Sequence, residues 1–164
     1  MSILIVLRGN SGSGKSAVAR VLQRELAGVW IEQDNFRRTI LGETGNYSPL
    51  TIELIEQTAA LALRHGRTVI AEGMFNAKTH SGCFNSLRAG HQGRSVFYAW
   101  DLSLDETLRR HATRPHKQAD FGEHAMRGWY RGWDPLQGID EQRITAKESL
   151  EETVERILRD VREP

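Results

Sequence analysis

The residues best suited to chemistry lie near the start of the sequence, in the segment Gly9-Asn-Ser-Gly-Ser-Gly-Lys15-Ser16. This segment matches the pattern G-x-x-x-x-G-K-[ST] at every fixed position. Its glycines let consecutive backbone N–H groups point inward around an anion, and the helix that should follow adds its positive N-terminal end. Lys15 can reach the β- and γ-phosphates of a nucleotide, and the Ser16 hydroxyl can ligate Mg²⁺. The pattern predicts a nucleotide site, with a chance match by a glycine-rich turn as the alternative.

The elements on either side of this loop fit the same prediction. Residues 3–8 are predicted to form a strand, and the continuous apolar run up to Leu7 is typical of a strand buried on both faces. Residues 15–27 carry apolar side chains at helical spacing, as expected for the helix that follows a phosphate loop. The predicted nucleotide-binding residues of the loop are Gly9, Asn10, Ser11, Gly12, Ser13, Gly14, Lys15, Ser16 and Ala17.

A candidate general base follows the second predicted strand, in the segment Gln33-Asp34-Asn-Phe-Arg37-Arg38. In doubly wound sheets ligands collect at the carboxyl ends of the strands, so Asp34 should face the phosphate loop. A carboxylate there can accept the proton of an attacking hydroxyl, a contribution of roughly 10²–10⁴ in rate. Arg37 can hold an anionic part of the acceptor. The alternative is that Asp34 only caps a short helix and Arg37 is solvated.

Glu72 ends the third predicted strand and is followed by Gly73, which permits close approach of the backbone. We predict that Ser16 and Glu72 are the metal site, with Glu72 holding Mg²⁺ through water. Glu72 could instead contact the acceptor hydroxyl, or it could simply reach solvent from the end of its strand.

Basic residues close the third predicted helix, over about residues 103–113, and we predict that Arg110 and Arg114 bind the donor phosphates. They are four residues apart, hence on one face of a helix. Phosphoryl transfer needs cations over the transferring group, delivered by a closing lid that excludes water. The lid should span about residues 114–133. A basic last turn that complements the helix dipole is the alternative.

The predicted lid contains aromatic residues interleaved with cations: Arg127, Trp129, Tyr130, Arg131 and Trp133. Such a stretch could stack a base and contact a phosphate. Its spacing fits equally well the apolar face of a helix over residues 122–133 that supports the lid. We expect the acceptor site to be built from residues 34–40, residues 75–80 and this helix.

Strand and helix patterns alternate along the whole sequence, which predicts an α/β fold with a parallel sheet and a single domain over residues 1–164. Further strands are predicted at residues 29–33, 67–72, 95–100 and 142–145. Further helices should start at Pro49 and run to about residue 65, cover about residues 103–113, and follow the capping box at Ser149.

Several classes of function are disfavoured. The D-x-x-G and N/T-K-x-D segments of a GTPase are both missing from the sequence. The segment Asp134-Pro-Leu-Gln-Gly138 comes near the first pattern but has one residue too many. The net charge is +1, which argues neither for nor against nucleic acid. The single cysteine, Cys83, allows no intramolecular disulfide, and the histidines lack metal-ligand spacing. Without a leader or an apolar run of ~20 residues, we expect a cytoplasmic protein and no membrane partner.

Together these residues resemble the P-loop kinase group of polynucleotide 5′-kinase, chloramphenicol phosphotransferase and gluconate kinase. The resemblance covers about residues 3–160 and is closest to the polynucleotide kinase domain. It implies a P-loop NTPase fold, a three-layer sandwich with five parallel strands in the order 2-3-1-4-5 and a helical lid, and Mg-ATP as the donor. It puts Asp34 on the general base and Arg37 on an arginine that engages the acceptor phosphate. Glu72 stands where that family has an aspartate, and Arg110 and Arg114 match its lid arginines.

The resulting hypothesis is an ATP-dependent kinase whose catalytic residues are Lys15, Asp34, Arg37 and Arg114. Its acceptor would be the hydroxyl of a small molecule: a nucleoside, a sugar or an antibiotic. A nucleic acid 5′ end is a second acceptor class, and a non-catalytic ATP sensor that signals to a partner is an alternative of another kind. The sequence leaves the acceptor and the oligomeric state open.

Overall fold

The computed structural model describes residues 2–45 and 48–163, and its centre is a parallel sheet of five strands. The strands lie in the order β2-β3-β1-β4-β5, which confirms the predicted order. The predicted strand bounds are met to within one or two residues. The strands are β1 Ile3–Gly9, β2 Val29–Glu32, β3 Val69–Gly73, β4 Arg94–Trp100 and β5 Gln142–Ile144.

Helices cover both faces of the sheet, so the fold has three layers with the sheet in the middle. Along the chain they are α1 Lys15–Leu26, α2 Pro49–Arg64, α3 Ala77–Gly90, α4 Leu104–Ala112, α5 Pro115–Gln118, α6 Glu123–Trp129 and α7 Leu150–Arg162. A π-helical segment, Asn35–Ile40, follows β2.

The two faces of the sheet hold two separate cores, because successive side chains of a strand point to opposite sides. In β1, Leu4 and Val6 pack with buried residues of α2 and α3, such as Ile55 and Phe84. Ile5 and Leu7 pack with residues of α1 and α7 on the other face. The apolar run of β1 from Ile3 to Leu7 is therefore explained by burial on both faces.

Side-chain caps start several helices where the sequence predicts them. The Ser48 hydroxyl accepts from the N–H of Thr51, with Pro49 at the first helical position. Ser149 and Glu152 form the complete reciprocal capping box of α7. At α4 the Ser103 hydroxyl accepts from the N–H of Glu106.

Two features of the helices correct the sequence analysis. Helix α3 is absent from the prediction, which named residues 75–80 only as part of the acceptor site. Its start is capped by Asn76, whose side chain accepts from the N–H of Lys78. The helix predicted over residues 122–133 is α6, which ends at Trp129, because Tyr130 is extended and Gly132 takes a positive φ of 64°.

None of the helices in the described part of the chain is long and apolar enough to cross a membrane.

Candidate active site

The carboxyl edge of the sheet brings most of the predicted site residues to one cavity of about 330 Å³. The predicted residues outside its lining are Gly9, Asn10, Ala17 and Arg110. The loop after β1, the end of β2 and the end of β3 meet there because β3 lies between β2 and β1. Glu72 is in register with Leu7 of β1 and with Glu32 of β2. The cavity is lined by residues 11–16 of the phosphate loop, by Asp34 and Arg37, by Glu72, and by Arg114 from the lid.

The phosphate loop is held in a tight turn by glycines in the left-handed region. Gly12 has φ +80° and Gly14 has φ +105°. The Gly12 position is also crowded, because a Cβ atom there would lie 2.7 Å from the Thr107 carbonyl oxygen and 2.8 Å from Met126 Cε. Glycine at this position therefore lets the loop pack directly against α4 and α6.

Lys15 is buried inside the loop, where its Nζ donates to the Asn10 carbonyl oxygen at 2.9 Å and to Ser13 Oγ at 3.1 Å. Burial lowers the pKa of Lys15 from 10.5 to about 8, although the charges of Glu72 and Asp34 oppose this. Both hydrogen-bond acceptors are neutral, so among the described residues the buried ammonium group has no directly bonded anion, and it lies where a polyphosphate would bind. Lys15 and the loop around it therefore fit the phosphates of a nucleoside triphosphate.

Ser16 and Glu72 lie side by side, as the predicted metal site requires. Ser16 Oγ donates to Glu72 Oε1 at 2.9 Å, and Glu72 is only 3% exposed. Burial raises the pKa of Glu72, which the Lys15 charge and the Ser16 hydrogen bond counteract. A buried carboxylate next to a hydroxyl is a pair of hard oxygen ligands, which suits Mg²⁺ with water and phosphate oxygens completing the shell. Within residues 2–45 and 48–163, no cluster of three or more His, Cys, Asp or Glu side chains forms an all-protein metal site.

Asp34 and Arg37 form an ion pair at the mouth of the cavity. Arg37 Nη2 donates to Asp34 Oδ1 at 3.0 Å, and Nη1 donates to the Gly45 carbonyl oxygen. The Asp34 side chain is 60% exposed, whereas that of Arg37 is 13% exposed. Within the part of the chain that the structure describes, the Asp34 side chain makes no capping hydrogen bond to the backbone of the π-helical segment that follows it. Its carboxylate is therefore engaged by arginine and open to the cavity, in place of the capping role given as the alternative.

The two lid arginines reach the same glycine of the phosphate loop. A Cβ atom on Gly14 would lie 3.8 Å from Arg110 Nη1 and 3.9 Å from Arg114 Nη2. Arg110 donates to the Ser13 carbonyl oxygen at 2.9 Å and pairs with Glu106 at 2.6 Å. The prediction that both lie on one face of a helix is wrong, because α4 ends at Ala112 and Arg114 follows it.

The aromatic and basic residues of the lid divide into two groups. Trp129 and Arg131 line the cavity. Trp133 lies elsewhere, with the guanidinium carbon of Arg143 at 4.1 Å from its ring centroid. Tyr130 donates from its hydroxyl to the Leu102 carbonyl oxygen at 2.9 Å. Both interpretations of the stretch therefore hold in part: Trp129 and Arg131 face the cavity, whereas Tyr130 and Trp133 pack against the rest of the protein.

The sequence did not predict the role of the Asn10 side chain. It points away from the loop interior: Oδ1 accepts from the N–H of Arg131 at 2.9 Å, and Nδ2 donates to the Gly132 carbonyl oxygen at 3.1 Å. The phosphate loop is thereby bonded to the end of the lid. No local signal could reveal this pairing, since the partners are more than a hundred residues apart.

A buried polar network that also escaped prediction fixes the cavity wall after β3. Arg8 is 3% exposed and donates from Nε and Nη2 to the Phe75 carbonyl oxygen, while its Nη1 pairs with Glu141 at 2.9 Å. Phe75 has a positive φ of 40°, and its N–H donates to Gln33 Oε1. The arginine at the end of an apolar strand was the one available signal. This network keeps a strained turn in place beside the cavity.

His80 completes that wall as a neutral imidazole. Gln33 Oε1 is used as an acceptor, so its Nε2 is the donor to His80 Nε2 at 3.2 Å, and His80 Nδ1 faces the Asn76 carbonyl oxygen at 3.2 Å. Burial lowers the pKa of His80 to about 4. The cavity wall beside Asp34 therefore carries no additional positive charge at neutral pH.

The arrangement can bind a polyphosphate and accept a proton in the same chamber. Lys15 and Arg114 supply positive charge on two sides, Ser16 and Glu72 can hold a divalent cation, and Asp34 offers an exposed carboxylate. These are the parts that phosphoryl transfer needs.

The sequence matches the family AAA_33, described as an AAA domain, over residues 4–136. Among solved structures, the Mycobacterium tuberculosis APS kinase CysC in complex with AMPPNP and APS has a TM-score of 0.74 at 19% identity, covering 99% of this chain and 98% of that chain. A gluconokinase from Sinorhizobium meliloti 1021 has a TM-score of 0.66 at 18% identity, covering 96% and 90%. A chain of the Pnkp1/Rnl/Hen1 RNA repair complex has a TM-score of 0.59 at 23% identity, covering 77% and 42%.

These similarities establish a P-loop kinase fold and confirm the resemblance seen in the sequence. No curated protein matches the sequence significantly.

Proposed function

The chain belongs to the AAA_33 family of AAA domains, and from that membership we propose that it is an ATP-dependent kinase acting on a hydroxyl of a small molecule. The acceptor would be a nucleoside, a sugar or an antibiotic. The observation that carries the proposal is that Lys15, Asp34 and Arg114 line one cavity beside the phosphate loop. A binding module has no need of an exposed carboxylate opposite its phosphate site.

The donor phosphates would lie in the phosphate loop, held by its backbone N–H groups and by Lys15. The complex of the similar APS kinase with AMPPNP supports an adenine nucleotide as the donor. Ser16 and Glu72 would hold Mg²⁺, which when bound would neutralise charge on the donor phosphates.

In the transfer step, the acceptor oxygen forms a bond to the γ-phosphorus while the bond from that phosphorus to the β–γ bridging oxygen breaks. Asp34 accepts the hydroxyl proton, and ADP leaves. Lys15 and Arg114 stabilise the charge that spreads over the transferring oxygens. Arg37 holds the Asp34 carboxylate in place, since its guanidinium is committed to Asp34 and Gly45.

The test is ADP formation against a panel of nucleosides, sugars, aminoglycosides, phenicols and 5′-hydroxyl oligonucleotides. Asp34→Asn should keep ATP affinity and lower acceptor-dependent turnover by about two orders or more. Lys15→Ala should weaken both nucleotide binding and turnover. Full activity in Asp34→Asn would remove Asp34 from the mechanism, and tight ATP binding without any acceptor-dependent turnover would favour the non-catalytic sensor.

A nucleic acid 5′ end is the second candidate acceptor, favoured by the similarity to a chain of an RNA repair complex. The near-zero net charge counts against it, because a polyanion end is usually met by a basic rim. The salt dependence of acceptor binding separates the two classes. A steep fall in affinity with salt would indicate the polyanion.

A further inference from the structure

The lid side of the cavity carries an aromatic wall made of His111, Phe121 and Trp129. The rings of His111 and Phe121 are stacked, with centroids 4.9 Å apart and planes inclined by 16°. Phe121 and Trp129 meet edge to face at 5.3 Å and 61°. His111 Nε2 donates to the Phe121 carbonyl oxygen at 3.0 Å, because a carbonyl can only accept. The wall is therefore fixed by its own contacts.

The wall differs from the part of the lid that packs against the protein. Met126 lies in α6, the helix that also carries Trp129, and it is 2% exposed and packs over Gly12 of the phosphate loop. Phe121 and Trp129 are only half-buried, and both line the cavity. Half-buried aromatic rings in a cavity offer their remaining surface to a ligand, preferably to another flat ring.

The charged groups of the cavity indicate which ligand meets this wall. On the side of Asp34, Arg37 and Arg38 lie 3.0 and 3.9 Å from its carboxylate, which offsets one of their two positive charges. Among the described residues, the guanidinium groups that line the cavity without an ion pair are Arg114 and Arg131, both in the predicted lid. Arg114 also lies near Gly14 of the phosphate loop, so its unpaired charge suits the donor phosphates, and the aromatic wall is left to contact an uncharged part of the acceptor.

We propose that the acceptor is a hydroxyl compound with a flat aromatic ring, which packs on Phe121 and Trp129 while its hydroxyl faces Asp34. The inference rests on the proposed kinase function and narrows its substrate class. The wall and Asp34 line the same cavity, so one small molecule can reach both.

The test compares an aromatic set of acceptors, adenosine, uridine and chloramphenicol, with a non-aromatic set, D-ribose, D-gluconate and glycerol. At least one aromatic acceptor should exceed every non-aromatic one about tenfold in kcat/KM, the order expected for one stacking contact. Trp129→Leu should raise the acceptor KM about tenfold and leave the KM for ATP unchanged. Trp129→Phe should retain most of the preference, which keeps the test valid if the leucine variant is unstable.

Trp133→Leu is the matched control, because Trp133 packs near Arg143 and does not line the main cavity. It should leave the acceptor preference intact. Equal or better use of the non-aromatic set would overturn the inference, as would a Trp129→Leu variant that raises the KM for ATP alone, since the wall would then hold adenine. In both cases Asp34-dependent transfer would persist, whereas failure of the proposed function would show as no acceptor-dependent ADP formation with any compound.

Discussion

Asn10 Oδ1 accepts a hydrogen bond from the backbone N–H of Arg131 at 2.9 Å, which ties the phosphate loop to the end of the lid. The same amide donates to Gly132, a residue with a positive φ that permits the chain to turn there. In α4, just before the lid, Arg110 donates to the carbonyl oxygen of Ser13. The helix that precedes the predicted lid and the end of the lid are therefore both bonded to the loop that would hold the phosphates.

Asn10→Ala should lower kcat more than it changes the KM for ATP. The backbone of the phosphate loop is kept, but two backbone groups of the lid lose their partly buried hydrogen bonds. We expect a loss of about 1–3 kcal/mol in the free energy of unfolding, measured by urea titration. Asn10→Asp keeps the acceptor for the N–H of Arg131, so its kcat and its free energy of unfolding should lie between those of the wild type and Asn10→Ala.

The control for stability is Asn85→Ala, since the Asn85 amide also bonds two backbone carbonyls, of Ser81 and Gln137, outside the cavity. It should cost similar stability and leave kcat unchanged. If both variants lose activity in proportion to their stability, Asn10 does not position the lid.

Arg114→Ala should lower kcat by about two orders of magnitude or more, as expected for an arginine that meets the transferring phosphoryl group. Arg109→Ala is the matched control from the same basic stretch. Arg109 is 68% exposed and bonds only to Glu106 among the described residues. Steady-state kinetics with a saturating acceptor distinguish them, and equal losses in the two variants would argue for a general charge effect.

The sheet and the phosphate loop could be predicted because their signals are local. The apolar runs of the strands reflect burial on both faces, and the fixed residues of the loop lie within eight positions of one another. Helix α3 lacks such a signal: Gly82 interrupts it and its buried face includes His80 and Ser81, so polar residues hide the apolar period. Only the cap at Asn76 marks its start.

The sequence predicts a site residue when its own type and its place in a motif indicate its role. It does not predict a role that depends on a partner far away in the sequence. Lys15, Ser16 and Glu72 follow from strand ends and loop chemistry. The orientation of Asn10 and the contact of Arg8 with Phe75 depend on residues that only tertiary folding brings together.

The lowered pKa of Lys15 predicts an alkaline limit on nucleotide capture. In the free protein the ammonium group loses its proton near pH 8, because burial disfavours the charge. The value of kcat/KM for ATP reports the free enzyme and should therefore fall about tenfold per pH unit above pH 8. A bound polyphosphate favours the charged lysine, so ATP binding near pH 8.5 should take up protons, measured by calorimetry in buffers of different ionisation enthalpy. Lys15→Ala should show neither effect, and a flat wild-type profile up to about pH 10 would contradict the assignment.

Glu72→Gln should raise the Mg²⁺ concentration needed for half-maximal activity by about tenfold or more, because it removes a carboxylate ligand and keeps its shape. A second effect identifies the charge itself. Glu72 is the largest influence that raises the pKa of Lys15 against burial, so its neutralisation should move the alkaline limit to a lower pH. Glu32→Gln is the control, since Glu32 is in register with Glu72 and lines the same cavity. An unchanged Mg²⁺ requirement would remove Glu72 from the metal site, and an equal pH shift in Glu32→Gln would mean that the field of the whole cavity, and not Glu72, sets the ionisation of Lys15.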